Sequence, residues 1–132
     1  MEKPHLVFFG TPALAVTVLD ELKASGIVPS LIVTLPDKPA GRGMKLTPPP
    51  VKIWAGENNI PTLQPEKLDT GFAKTLRENC ELPAAGCRLF VVFAYGKIIP
   101  KNILEIPKHG TINLHPSLLP NLRGPSPIRT AI

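Results

Sequence analysis

Between Arg88 and Tyr95 the chain runs Leu-Phe-Val-Val-Phe-Ala with no polar side chain. A short unbroken run rich in Val and Phe reads as a strand covered on both faces, and few folds offer that. His5 to Phe9 and Leu31 to Leu35 have the same character. Helical patterns separate these runs. Residues 13–24 place Leu14, Val18, Leu19 and Leu22 at helical spacing, Lys52 to Asn58 reads as a short helix, and Glu66 to Asn79 sets Leu68, Phe72 and Leu76 on one side. Apolar strands alternating with helices predict an α/β fold: a mostly parallel sheet with helices on both faces and right-handed crossovers. Ligands then bind at the carboxyl ends of the strands. The informative loops are therefore Gly10-Thr11-Pro12, Pro36 to Pro50, Tyr95-Gly96-Lys97 and the segment from His115.

At 132 residues the chain is about one domain long, and 43% hydrophobic with 19% charged residues fits a globular protein. Its 17 prolines fall between the apolar runs and mark loops and helix starts. The formal charge of +5 is uneven: residues 36–54 carry four basic side chains against one acidic, and residues 97–132 carry five against one. Such clustering points to a polyanionic partner or to a solvated surface, and charge alone leaves both open. Cys80 and Cys87, with six residues between them, match no zinc or redox spacing. They are expected to be reduced thiols, no metal site is expected, and no apolar run approaches the ~20 residues of a membrane span. With no room for a signal peptide before the first strand, a cytoplasmic location is the expectation.

Thr111-Ile-Asn-Leu-His115-Pro-Ser-Leu-Leu-Pro120 holds two polar side chains two residues apart in an apolar run. In a strand, Asn113 and His115 would share a face. An amide beside an imidazole suits acyl transfer, because both can donate to a developing oxyanion. A hydrogen-bonded strand end with a solvated His is the plain alternative. Gly10-Thr11-Pro12 opens a helix and offers backbone amides to an anion, but neither G-x-G-x-x-G nor G-x-x-x-x-G-K-[ST] occurs, so a nucleotide site is not indicated. Pro36 to Pro50 is long for a strand-to-helix connection. Arg42 between two glycines, with Lys38, Lys45 and Lys52 nearby, suits phosphate contact; a solvated linker remains the alternative.

Taken in order, Phe9-Gly-Thr-Pro12, Pro36-Asp-Lys-Pro-Ala-Gly-Arg-Gly43, Lys45-Leu-Thr-Pro-Pro-Pro-Val-Lys52, Leu63-Gln-Pro65, Tyr95-Gly96, Asn113-Leu-His-Pro-Ser-Leu-Leu-Pro120 and Arg123-Gly124 resemble the methionyl-tRNA formyltransferase family. The resemblance runs over essentially the whole chain. It implies a Rossmann-like formyltransferase domain that moves the formyl group of 10-formyltetrahydrofolate to the amino group of initiator methionyl-tRNA, without a metal. The family's catalytic pair falls on Asn113 and His115. Its folate site falls on Ser117, Leu118, Leu119 and Pro120 together with Phe93, Ala94, Tyr95 and Gly96. Its tRNA loop falls on Lys38, Arg42 and Lys45.

The resemblance also implies that residues 1–132 are the N-terminal part of the catalytic domain, with the family's downstream Asp-Thr-Gly carboxylate and its C-terminal tRNA-binding domain absent. Asp37, in the basic loop, is a poor substitute for that carboxylate. Two departures stand out: Pro116 follows the His where a small residue is more usual, and Met44 sits where a second cation is frequent. Two other readings are carried forward. One is a different 10-formyltetrahydrofolate user acting on glycinamide ribonucleotide or an amino-sugar nucleotide, and the other is a folate- or tRNA-binding module without turnover. The isomer of Leu119-Pro120 is left open.

Overall fold

A computed structural model of the chain describes residues 5–81 and 87–114. Its elements are β1 (Leu6–Phe9), α1 (Ala13–Ala24), β2 (Leu31–Val33), β3 (Lys38–Ala40), β4 (Lys45–Thr47), α2 (Pro50–Glu57), β5 (Thr62–Leu63), α3 (Thr70–Glu81), β6 (Leu89–Phe93), α4 (Lys101–Leu104) and β7 (Thr111–Leu114). Five strands form one parallel sheet in the order β5-β2-β1-β6-β7. The chain winds outward from β1 to β2 and β5, then returns to the other side of β1 for β6 and β7. That reversal creates a switch point at the carboxyl ends of β1 and β6.

The period of two in each strand feeds two separate cores. Leu6, Phe8, Ile32, Val91 and Phe93 pack with Ala15 and Leu19 of α1 and Val51, Trp54 and Ala55 of α2. Val7, Phe9, Val33, Phe90 and Val92 pack with Phe72, Ala73 and Leu76 of α3 and Ile103 of α4. The apolar runs lack polar alternation because neither face of the sheet meets water. Burying each Phe, Val or Leu is worth about 1.5–3 kcal/mol, so the central strands dominate the driving force.

Helix ends follow local chemistry. Pro50 stands at the first position of α2, where its missing N–H costs nothing. The Asp69 carboxylate accepts the N–H of Phe72 at 2.9 Å, which starts α3 at Thr70 rather than at the expected Glu66. Leu68 thus precedes the helix, yet packs on the same core. On α1 the inward residues are Ala15 and Leu19, whereas Leu14 is 42% exposed, so the expected stripe is rotated toward the smaller residue. The single Trp54 donates its indole N–H to Asp20 Oδ1 at 2.8 Å, joining α2 to α1.

Two expectations need correction. The Pro36 to Pro50 segment is not a plain loop: β3 and β4 pair antiparallel, Lys38 opposite Thr47 and Ala40 opposite Lys45, around a turn at residues 41–44. Cys80 and Cys87 are not free thiols but form a disulfide with Cα atoms 4.7 Å apart. The end of α3 and the approach to β6 both enter the core beside Leu76 and Phe90, which brings the two sulfurs together.

Candidate functional site at the carboxyl edge of the sheet

Three of the four loops singled out by sequence meet at this edge. Gly10 ends β1, and its N–H donates to Val33 O at 3.1 Å, so this amide serves the sheet and is not free for an anion. A Cβ there would lie 2.5 Å from Phe8 Cε1 and 2.9 Å from Phe93 O, so only glycine fits. Next to it Thr11 acts as a hub. Its hydroxyl donates to Tyr95 O at 2.6 Å and accepts from the hydroxyl of the buried Thr34 at 3.4 Å; its carbonyl accepts the N–H of Val51 at 3.3 Å. One residue therefore joins the loops after β1, β2 and β6 to the start of α2. Sequence reading missed this role; the marker was a hydroxyl in the turn after a buried strand.

The loop after β6 turns sharply. Ala94 has φ +54° and Gly96 φ +104°, and a Cβ at Gly96 would lie 2.9 Å from Leu35 Cδ1. Phe93 and Tyr95, both expected in a folate site, have their side chains in the core at 0% and 2% exposure. What this loop presents to a ligand is its backbone, with Ala94 partly covered and Gly96 exposed. The Tyr95 ring meets Phe9 edge-on at 5.6 Å between centroids, and its hydroxyl finds no partner among the described residues. Burial pushes that phenol up to about 12.

Asn113 lies opposite Val92 in the β6–β7 ladder and is exposed. With Val92, Lys97, Ile98, Ile99 and Leu104 it lines a cavity of about 290 Å³. Lys97 is held by donating to Glu66 O, and Thr111 by donating to Leu104 O at 2.7 Å. This cavity sits at the low end of ligand-site volumes, enough for the ring system of a larger molecule. His115, Ser117, Leu118, Leu119, Pro120 and Arg123 lie outside the described residues.

The β3–β4 hairpin stands at the other side of the edge. Lys38, Arg42 and Lys45 are all exposed on it, with Arg42 in the turn between Gly41 (φ +68°) and Gly43 (φ +80°). Met44 also has positive φ, at +50°. Lys52 does not join this set, because its Nζ pairs with Asp37 Oδ1 at 3.1 Å. The Gln64 amide, donating at 2.7 Å, and then Lys52 hold the Asp37 carboxyl below its ordinary value. Under the hairpin, Pro12, Leu35, Pro36, Pro49 and Pro50 line a second, largely apolar cavity of about 310 Å³. Asp37 follows β2, and β1 and β6 separate that strand from β7, so it is far from a partner for the β7 end.

Among the described residues no group of three or more His, Cys, Asp or Glu is placed to hold a metal ion, and no helix is long and apolar enough to cross a membrane. The family model described as formyl transferase matches residues 4–132. A methionyl-tRNA formyltransferase of Deinococcus radiodurans is 47% identical over 131 residues, covering 98% of this chain and 39% of that protein. One from Myxococcus xanthus is 47% identical over 133 residues, covering 100% and 40%. One from Thermodesulfovibrio yellowstonii is 48% identical over 128 residues, covering 96% and 40%. The chain thus spans well under half the length of these relatives. Among solved structures, glycinamide ribonucleotide transformylase 1 from Geobacillus kaustophilus matches with a TM-score of 0.58 and 22% identity, covering 98% of this chain and 67% of that one, a likeness of fold.

Proposed function

We propose, from the premise that this chain belongs to the formyl transferase family, that it forms the donor-binding and catalytic part of a methionyl-tRNA formyltransferase. The reaction would move a formyl group from 10-formyltetrahydrofolate to the amino group of initiator methionyl-tRNA, in the cytoplasm. The observation that carries the reading is the pairing of two features along one sheet edge: Asn113 in a ligand-sized cavity, and a hairpin with three exposed cations. Relatives bearing that name at 47–48% identity support it.

The donor fits the residues present. The cavity beside Asn113 is walled by the apolar Val92, Ile98, Ile99 and Leu104 with Lys97 at its side, which suits a flat heteroaromatic ring with a polar edge. When bound, 10-formyltetrahydrofolate supplies the activated formyl carbon. An α-amino group has a pKa near ~8, so the methionyl amine is partly neutral at physiological pH and attacks without strong activation. Negative charge then develops on the formyl oxygen. The Asn113 amide would donate to it, with His115, two residues on, as the second donor; the adduct would then collapse by breaking the bond between the formyl carbon and folate N10, and the proton given up by the amine would end on that nitrogen as tetrahydrofolate leaves. The apolar cavity at the hairpin root suits the methionyl side chain, while Lys38, Arg42 and Lys45 meet the phosphates of the acceptor arm.

The test is formyl transfer by the full gene product containing this chain, with labelled 10-formyltetrahydrofolate and either methionyl-tRNA or glycinamide ribonucleotide as acceptor. Label on the tRNA alone is the expected outcome. Label on the nucleotide alone would assign the other acceptor, and label on neither would leave a binding module.

A further inference from the structure

The hairpin's direction is set at its root. Each of its strands has three paired residues, and outside that ladder it is exposed. Its own hydrogen bonds fix its shape but not the angle at which it leaves the sheet. A three-residue arm is about 10 Å long at the usual rise per strand residue, so a tilt of roughly 10° at the root moves the tip by about 2 Å. An arm free to tilt by that much must be oriented when its partner binds, and that ordering costs affinity.

Asp37 occupies that root. It immediately precedes β3, and Oδ1 accepts from Lys52 Nζ at 3.1 Å and from Gln64 Nε2 at 2.7 Å. Lys52 also reaches Oδ2 at 3.4 Å. The Gln64 amide in turn donates to Leu35 O at 3.0 Å. Lys52 belongs to α2, the helix that the hairpin runs into, and Gln64 follows β5 at the side of the sheet. One carboxylate therefore ties the way into the hairpin, the way out of it and the sheet itself.

We propose that Asp37 is a positioning residue for acceptor recognition: with Lys52 and Gln64 it locks the hairpin's angle, and Lys52 serves as its internal counter-ion rather than as a phosphate contact. A half-buried ion pair open to solvent contributes little to stability. Its effect here is directional, because the same oxygen is held from two elements at once. The inference rests on reading the hairpin as the polyanion-binding arm.

The experiment uses the full gene product with Asp37→Ala, Lys52→Ala, the double variant and Arg42→Ala, measuring KM for methionyl-tRNA at several salt concentrations together with kcat and the KM for 10-formyltetrahydrofolate. Asp37→Ala and Lys52→Ala should each raise the tRNA KM about tenfold, with the double variant no worse than either, as for two members of one unit. Neither should change kcat, the folate KM or the slope of log KM against log salt, since no phosphate contact is removed. Arg42→Ala should lower that slope by about 1. If Lys52→Ala lowers the slope as Arg42→Ala does, and its effect adds to that of Asp37→Ala, Lys52 contacts phosphate and the inference is overturned. An unchanged tRNA KM in Asp37→Ala, with Arg42→Ala impaired, overturns it while leaving the hairpin reading intact. A silent Arg42→Ala removes both.

Discussion

Thr11 donates its hydroxyl to the carbonyl oxygen of Tyr95 at 2.6 Å, although 84 positions separate them in the chain. The bond crosses the switch point between the first strand and its later neighbour, and Thr34 extends it into the loop after β2. Thr11→Val keeps the shape but strips the donor, leaving the Tyr95 carbonyl short of a partner and Thr34 without its acceptor. Stability should fall by about 1–3 kcal/mol in urea unfolding. Thr11→Ser should recover most of it; equal losses in the two variants would mean that the methyl group, not the hydroxyl, matters.

Two glycines should respond with opposite sign. Gly10→Ala forces a methyl group against Phe8 and the Phe93 carbonyl, and overpacking of this kind costs about 1–3 kcal/mol. Gly56 lies in α2 with nothing within 4 Å of a Cβ built there, so Gly56→Ala should gain roughly 1 kcal/mol from helix propensity. A thermal midpoint that rises in Gly10→Ala would contradict the packing described at the β1 turn, and one that falls in Gly56→Ala would contradict the open space beside α2.

Much of this architecture was legible. Leu89 to Phe93 and His5 to Phe9 could be read as fully covered strands because both of their faces are apolar, and the alternation with helices gave the parallel sheet. The periodicity over 13–24 predicts the helix in its full extent but points its apolar stripe toward Leu14, since hydrophobicity ranks Leu above Ala while the tight approach of α1 to the sheet favours Ala15. The hairpin escaped because Pro39, Gly41 and Gly43 are turn and breaker residues, and its short ladder carries no apolar alternation. The disulfide escaped because it depends on where α3 ends against β6, a tertiary fact. Asn113 lies on a strand as its spacing predicts, while Phe93 and Tyr95, which the resemblance puts at the folate site, keep their rings in the core, a burial that motif membership does not encode.

For the chemistry proposed, Asn113→Ala should lower kcat about 10²–10³-fold with little change in the KM for either substrate, as loss of one oxyanion donor does. Single-turnover formyl transfer measures this directly. A rise in the folate KM at unchanged kcat would instead make Asn113 a binding group.

Tyr95 is the chain's single tyrosine, so phenolate absorbance reports one site. Its folded value of about 12 lies above the unfolded value near ~10. Below the lower figure both states keep the proton and stability is unaffected. As pH rises between the two, the unfolded state ionises while the folded state resists, so stability declines with rising pH. The phenolate signal should therefore appear either near 12 or together with unfolding. A reversible midpoint near ~10 in the folded protein would mean that the hydroxyl reaches solvent.

The two-sided core has an optical consequence. The chain's one tryptophan, Trp54, sits in the layer beneath α1 and α2, and its one tyrosine sits in the layer beneath α3 and α4. Each face of the sheet thus carries its own native chromophore. Indole emission follows the docking of one helix pair through the Asp20 bond, and tyrosine ultraviolet absorbance follows the other. Without any added label, stopped-flow traces at the two signals would tell whether the layers close in one step or in succession.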